Sequence, residues 1–258
     1  MVLTVDIGNT NVVVGYFIGE QIHTLGRLAT DRGATELEYS VQIRSLLKLN
    51  DMTADGFEGA IVCSVVPAVT GNMREAVRML IKKNVLVVGP GMKTGLKIDI
   101  DNPAQLGADR VADAVAAVHE YPVPLITIDM GTATTIGVVD ERKTFIGGMI
   151  VPGVMVSLNA LSGGTSQLPH IALEPPKQPI GRNTVDCMRS GIVYHNAAGV
   201  DGMIRHIEEQ LGQKCTVVVT GGLSQAIIPY CAHEMIHDPD LLLKGLRIIY
   251  RKNQKKKA

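Results

Sequence analysis

One pattern occurs twice in this chain, and any fold must accommodate both copies. Leu3–Thr4–Val5 runs into Asp6–Ile7–Gly8–Asn9–Thr10–Asn11 and on to Val12–Val13–Val14–Gly15. Leu125–Ile126–Thr127–Ile128 runs into Asp129–Met130–Gly131–Thr132–Ala133–Thr134–Thr135 and on to Ile136–Gly137–Val138–Val139. Each copy reads as an apolar strand, a buried-looking Asp, a Gly turn with hydroxyl or amide side chains, and a second apolar strand. The copies start 123 residues apart, close to half of the 258 residues. One such hairpin arises by chance; two with the same Asp–x–Gly core predict an internally duplicated chain, with one domain over 1–115 and the other over 116–258.

The segments between the hairpins support that organisation. Residues 34–49 carry Leu37, Val41, Leu46 and Leu47 among polar residues, the pattern of an amphipathic helix. Gly59–Val66 reads as a buried strand ending at Pro67, Asn72–Lys83 as a helix, and Val85–Val88 as a strand stopped by Gly89–Pro90–Gly91. Gly107–Glu120 is an Ala- and Val-rich helix. Phe145–Ile150 reads as a strand, Gly153–Leu161 as the start of a helix, 162–181 as a long surface loop, Asn183–Leu211 as one or two helices, and Cys215–Thr220 as a strand. His237–Leu243 reads as irregular with a short helix after it. Strands alternating with helices predict mixed or parallel sheets with helices over their faces.

Bulk properties exclude several functions. Lys plus Arg and Asp plus Glu both number 25, so no net charge favours a nucleic-acid partner. Six Tyr, three Phe and no Trp leave little for a base-stacking platform. No apolar run approaches the roughly 20 residues that span a bilayer. The N-terminus enters a strand without a signal-peptide pattern. Cys63, Cys187, Cys215 and Cys231 are widely spaced in or near apolar stretches, which predicts buried free thiols in a reducing, cytoplasmic setting. The run Arg251–Ala258 holds five basic residues and no apolar anchor, and is expected to be a frayed, solvated end.

The turns suit phosphate and cations. Gly8 lets the backbone approach a ligand closely, and Asn9, Thr10 and Asn11 surround backbone N–H groups that make an anion nest. A carboxylate beside phosphate is repulsive unless a cation lies between them, so Asp6 is expected to face Mg²⁺. Asp129 could hold a cation likewise, with Thr132 donating to phosphate. Val217–Val218–Val219–Thr220–Gly221–Gly222 is a strand ending in two glycines, against which a flat ring can lie. Gly107–Ala108–Asp109–Arg110 opens the Ala-rich helix. Its N-terminus favours an ionised Asp109, Arg110 offers a fork to a carboxylate, and Asp109 can take a proton from an acceptor hydroxyl.

An Asp turn, a second Asp turn and a Gly–Gly turn, in that order, resemble the two phosphate elements and the adenosine element of the superfamily of sugar and acetate kinases, actin and heat-shock ATPases. More closely, the chain resembles the type III pantothenate kinases, also called the Bvg accessory factor family. The resemblance rests on DIGNTN at 6–11, VVGPGMKTGL at 87–96, NPAQLGADR at 102–110, DMGTATT at 129–135, GGMIVPGVMVSLNAL at 147–161, LP at 168–169, GRNT at 181–184 and TGGL at 220–223. It implies a duplicated actin-like ATPase (ribonuclease H-like) α/β fold, mixed sheets flanked by helices, and an active site in the interdomain cleft. It implies transfer of the ATP γ-phosphate to the primary hydroxyl of pantothenate, giving 4'-phosphopantothenate, the first step towards coenzyme A. By resemblance Asp6, Ile7, Gly8, Asn9, Thr10, Asn11, Val12, Val13 and Thr132 bind ATP, and Asp109 is the general base. Gly107, Ala108, Asp109 and Arg110 contact pantothenate, and Asp129 holds K⁺ or NH₄⁺. Thr184 reaches the substrate of the partner subunit in a homodimer. The family's Tyr before Asn–Pro is Ile100 here, which alters pocket contacts on that side. Two alternatives remain: a kinase for another small hydroxylated substrate, and a regulatory protein that kept the nucleotide fold without catalysis.

Overall fold

The computed structural model describes residues 1–254, and the chain folds as two compact units. In chain order, β1 (Val2–Ile7), β2 (Asn11–Ile18) and β3 (Gln21–Ala29) precede α1 (Glu36–Leu49), β4 (Gly59–Ser64), α2 (Pro67–Ile81) and β5 (Val85–Val87). Next come β6 (Lys97–Ile98), α3 (Ala108–Glu120), β7 (Leu125–Met130), β8 (Ala133–Val139) and β9 (Thr144–Pro152). The remainder is α4 (Val154–Gly163), α5 (Thr184–Leu211), β10 (Thr216–Thr220), α6 (Ser224–Ile227), β11 (Ile236–His237) and α7 (Leu241–Asn253).

The first unit holds 1–96, 101–119 and the described residues from 240 onward. Its sheet has the order β3-β2-β1-β4-β5, with β1–β2–β3 an antiparallel meander and β4 and β5 parallel to β1. The second unit holds 97–100 and 120–239. Its sheet has the order β11-β10-β7-β8-β9-β6, and apart from the added β6 it repeats the pattern, with β7–β8–β9 the meander and β10 and β11 parallel strands. Neither unit is one continuous stretch: the chain leaves the second unit near residue 239 and closes on the first with α7.

The duplication extends into the packing. β1 (VLTVDI) and β7 (LITIDM) share the same pattern of four buried residues, a half-buried Asp and a buried apolar residue. The Thr at the third place of each strand, Thr4 and Thr127, is buried. Each faces a cross-strand Gly: Thr4 is opposite Gly15 and Thr127 opposite Gly137. A methyl group on Gly137 would meet Thr127 Oγ1 at 2.6 Å, and one on Gly15 would meet Thr4 Oγ1 at 3.2 Å. The threonine therefore excludes a side chain at Gly137, whereas at Gly15 it only crowds the position and the His23 carbonyl, 2.8 Å from such a methyl, excludes one.

The cores follow from the same strands. Leu3, Val5, Ile7, Val12 and Val14 pack with Tyr39, Ile43 and Leu47 of α1 and with Val69, Met73 and Val77 of α2. Ile126, Ile128, Ile136 and Val219 pack with Val193, Val200 and Ile204 of α5. Burying each such side chain contributes roughly 1.5–3 kcal/mol.

Several sequence expectations need correction. Helix α1 lies where expected, but Leu37 and Val41 are 61% and 54% exposed, and the Tyr39–Ile43–Leu47 stripe is inside. The three-to-four spacing fits either stripe, and the packing of Tyr39, Ile43 and Leu47 into the first core decides between them. Helix α2 starts at Pro67, five residues before the expected Asn72, because Pro at the first helical position costs no hydrogen bond. Residues 241–253 form one helix with Leu241, Leu243, Leu246 and Ile249 buried. Arg251 lies inside that helix and pairs with Glu20, while its guanidinium also donates to Gly19 O. The basic run is therefore not frayed at its start, and 255–258 lie outside the described residues. Cys187 is exposed and Cys215 and Cys231 are half-buried, so only Cys63 is a fully buried thiol; all four are free. No helix among the described residues is long and apolar enough to cross a membrane.

Candidate functional site

The first turn joins β1 to β2. Asp6 is the penultimate residue of β1 and is half-buried, and Gly8 N–H donates to Asn11 O at 3.0 Å to close the turn. Asn9, Thr10 and Asn11 are exposed at its tip, whereas Ile7 and Val12 are fully buried core side chains. Of the residues expected to surround phosphate, Ile7 and Val12 thus have only backbone to offer. Val13 is half-buried.

The first turn of α3 carries Ala108, Asp109 and Arg110, all half-buried, after Gly107. The Arg110 backbone N–H donates to Asp109 Oδ1 at 2.7 Å, which fixes the carboxylate at the head of the helix. Burial pushes the Asp109 carboxyl above its ordinary range, and the Arg110 N–H and guanidinium oppose that shift. Burial also lowers the Arg110 guanidinium somewhat, against the pull of Asp109.

Between these elements lies Cys63, which sequence reasoning missed as part of the site. It pairs in register with Asp6 across β4 and β1. Burial, first, and then the charges of Asp6, Asp109 and Asp113 hold its thiol protonated, and the thiol hydrogen-bonds Asp6. The first unit therefore keeps one neutral thiol beside Asp6 and in the field of the Asp109 and buried Asp113 carboxylates. Nothing in the local sequence marks Cys63; its place becomes visible only once β4 is known to pair with β1.

In the second unit Asp129 holds the matching place on β7, and Gly131 N–H closes the turn on Ala133 O at 3.1 Å. Thr132 is exposed at the tip, and its carbonyl accepts from Gly153 N–H at 3.1 Å, so the segment before α4 leans on this turn. The Gly–Gly turn joins the same place. Thr220 pairs with Asp129 across β10 and β7, and Leu223 N–H donates to Met130 O at 3.2 Å. Gly221 has φ of +95°, and a side chain there would run into Asp129 Oδ1 and the Met130 backbone. Ser224 Oγ donates to Gly221 O at 2.7 Å and lies 3.0 Å from His237 Nε2. Since the one hydroxyl proton goes to the carbonyl, the imidazole Nε2–H is the donor in the second bond. The structure thus brings the second and third sequence motifs into contact around Asp129.

Thr184 is elsewhere in the second unit. It opens α5 and is exposed. With Ser157, Leu161, Cys187, Met188 and His195 it lines an open groove of about 520 Å³.

Among the described residues no group of three or more His, Cys, Asp or Glu side chains could hold a metal ion. One carboxylate at a phosphate turn is nonetheless what a magnesium nucleotide needs, since Mg²⁺ takes most of its ligands from phosphate and water. Asp6, half-buried beside an open turn, fits that role. Asp129, beside the Gly131 and Gly221 backbones, would offer a single charged oxygen donor to a cation.

Two meander-plus-parallel sheets of the same order, each with an Asp turn after its first strand, define the duplicated actin-like fold of the sugar kinases and related ATPases. Solved structures agree on the fold. A conserved protein described as a Baf family transcriptional activator, from Campylobacter jejuni, superposes with a TM-score of 0.56 at 19% identity, over 97% of this chain and 98% of that one. The ethanolamine utilization protein EutJ from Carboxydothermus hydrogenoformans gives 0.51 at 16% identity, over 97% and 89%. The type III pantothenate kinase family model matches residues 2–206. Type III pantothenate kinases from Exiguobacterium sibiricum and Halalkalibacterium halodurans are 42% and 40% identical, each over 98% of this chain and 100% of their own length. The chain belongs to the type III pantothenate kinase family.

Proposed function

We propose that this chain transfers the terminal phosphoryl group of ATP to the primary hydroxyl of pantothenate, giving 4'-phosphopantothenate for coenzyme A synthesis, with Asp109 as the general base. The observation that carries the reading is full-length similarity to type III pantothenate kinases, and it is supported by Asp6 at the end of β1 and Asp109 at the head of α3 in one unit. In the reaction the bond from the terminal phosphorus to the bridging oxygen breaks and a bond to the pantothenate oxygen forms. The hydroxyl proton passes to Asp109, and ADP leaves. Burial raises the proton affinity of Asp109, which suits a base that must accept a proton as the bond forms.

The turn 8–11 holds phosphate oxygens through its backbone and polar tips, and Asp6 holds the magnesium of the nucleotide. Mg²⁺ offsets phosphate charge when bound. Thr132 contacts ATP from the second turn. Asp129 holds K⁺ or NH₄⁺ against the Gly221 backbone. Gly107 and Ala108 form the wall at the head of α3, and Arg110 pairs with the pantothenate carboxylate. Thr184 acts on the site of a partner subunit in a homodimer. The groove beside Thr184 and the exposed Val156 and Leu161 support a face that a second copy covers. We place the protein in the cytoplasm, where ATP and K⁺ are plentiful.

The test is ADP release by the purified chain with Mg²⁺ and K⁺, with pantothenate added or omitted. The reading requires pantothenate-dependent ADP. A folded protein that makes none with either K⁺ or NH₄⁺ would overturn it.

A further inference from the structure

The segment after β3 is fastened to the first phosphate turn. Thr30 N–H donates to Thr10 O at 3.0 Å, and Thr30 Oγ1 donates to Gly8 O at 2.7 Å. With Gly8 N–H on Asn11 O, three carbonyl oxygens of the turn are engaged by donors from the protein itself. Engaged carbonyls present less negative potential to an incoming phosphate.

The same segment is held at its other end. Asp31 N–H donates to the buried Tyr39 hydroxyl at 3.0 Å, and that hydroxyl donates to Asp31 O at 2.6 Å. Asp31 Oδ1 accepts from Gly33 N–H at 2.8 Å. Thr35 caps α1 in a reciprocal pair with Glu38, and Asn72 holds Ala34 O at 3.0 Å. Little of 30–35 is left to move except one side chain.

That side chain is Arg32. It is exposed, and its guanidinium reaches over the turn to Asn9 Oδ1 at 3.4 Å. No carboxylate lies within ion-pair distance of it among the described residues. Residues 1–26 contain neither Lys nor Arg, so the turn supplies no cation of its own. An Arg side chain presents a planar fork of donors that matches phosphate oxygens. Cations facing the transferring group are a recurrent part of phosphoryl transfer.

We propose that Arg32 is a catalytic residue of the phosphoryl transfer, its guanidinium moving from Asn9 onto the terminal phosphate oxygens of ATP held by the turn 8–11. Thr30 is the positioning residue that carries it there. Charge on those oxygens is neutralised as the phosphorus changes partners, and no proton or electron moves through Arg32. The inference rests on the kinase reading above.

The experiment compares wild type with Arg32→Ala, Arg32→Gln and Arg32→Lys, all at an exposed position where folding is checked by melting temperature. ATP, ADP and AMP binding is measured by calorimetry, and steady-state kinetics are measured with Mg²⁺ and K⁺. Arg32→Ala and Arg32→Gln should bind ATP about tenfold or more weakly, with AMP affinity unchanged. They should lower kcat with ATP while leaving the KM for pantothenate within about twofold. Arg32→Lys should restore part of the ATP affinity and little of kcat, because an ammonium carries the charge without the fork. Millimolar guanidinium should raise the rate of Arg32→Ala and not that of wild type. Unchanged ATP affinity and kcat in Arg32→Ala overturn the proposal, as does equal weakening of ATP and AMP. If wild type binds ATP but makes no pantothenate-dependent ADP, the pantothenate reading falls, and the binding comparison still decides whether Arg32 holds the phosphates.

Discussion

Gly221 is the position where a single methyl group should do most damage to the Asp129 turn. Its φ of +95° is one that a side chain adopts at a cost of about 1–2 kcal/mol. A Cβ there would stand 2.5 Å from Met130 N and 2.7 Å from Met130 C, in addition to its encounter with Asp129 Oδ1. Two of these atoms are backbone of β7, the central partner of β10, so relief requires the strand ends to part at the Thr220–Asp129 pair. Overpacking of this kind costs a further ~1–3 kcal/mol, for a total of about 2–5 kcal/mol in Gly221→Ala. Urea unfolding followed by far-UV circular dichroism would measure it. Gly199→Ala is the control: this glycine is inside α5 and a methyl group on it meets nothing within 4 Å, so it should gain about 0.5–1 kcal/mol from helix propensity. The activity of Gly221→Ala should also require more K⁺, because the wall beside Asp129 has moved. A Gly221→Ala protein within about 0.5 kcal/mol of wild type, with the same K⁺ requirement, would refute the reasoning that this backbone is held against the carboxylate.

Asp109→Asn should lower kcat by about 10²–10⁴-fold while ATP affinity measured by calorimetry stays near that of wild type; equal loss of both would remove Asp109 from the role of base. Burial raises the Asp109 carboxyl in the folded state, so the folded chain binds that proton more tightly than the unfolded chain. The stability this group contributes is present below the ordinary aspartate value and is lost as pH rises through the raised one. Asp109→Asn, which never ionises, should therefore be as stable as wild type or more so at neutral pH, and the acid limb of the wild-type rate profile should sit above the ordinary aspartate range. Replacing K⁺ by Na⁺ should depress the wild-type rate in a coupled assay, and Asp129→Asn should be indifferent to the exchange; a wild type equally indifferent would take the cation away from Asp129. Gly245→Ala should cost ~1–3 kcal/mol or more in a thermal melt, because its methyl would run into Ala112 O and lie 2.6 Å from Ala112 C, where α7 crosses α3.

The strands of the two hairpins were legible because each buries both faces, and continuous apolar runs broken by Asp–x–Gly have few other readings. Their end residues were recovered to within a position or so. Helices were legible in place but less so in orientation. In α1 the periodic signal from Leu37 and Val41 competes with that from Tyr39 and Ile43, and only the packing partners decide. Helix α7 was legible only as a short helix after Leu243, because Lys244, Arg247 and Arg251 interrupt its apolar residues. Arg247 is nevertheless buried, donating to Glu20 O and pairing with the Glu20 carboxylate at 2.9 Å. At the site, the three acidic residues stood out by their turns, whereas Cys63, Ser224 and His237 carry no local signature. Their roles come from strand register and from contacts between segments distant in sequence, which no window of neighbouring residues contains.

The return of α7 to the first unit has a consequence for synthesis. On the ribosome, β1 to β5 emerge first, yet the helix that packs on β1, β4 and α3 emerges after residue 239. The second unit has all of its own residues before then and can complete itself first, reversing the usual N-terminal-first order. Until the last helix arrives, the surfaces of β1 and β4 that it covers stand open, among them the strand that carries Asp6. A nascent chain halted or clipped before residue 241 would thus expose the half bearing Asp6 to chaperones and proteases, while the half bearing Asp129 would already be folded.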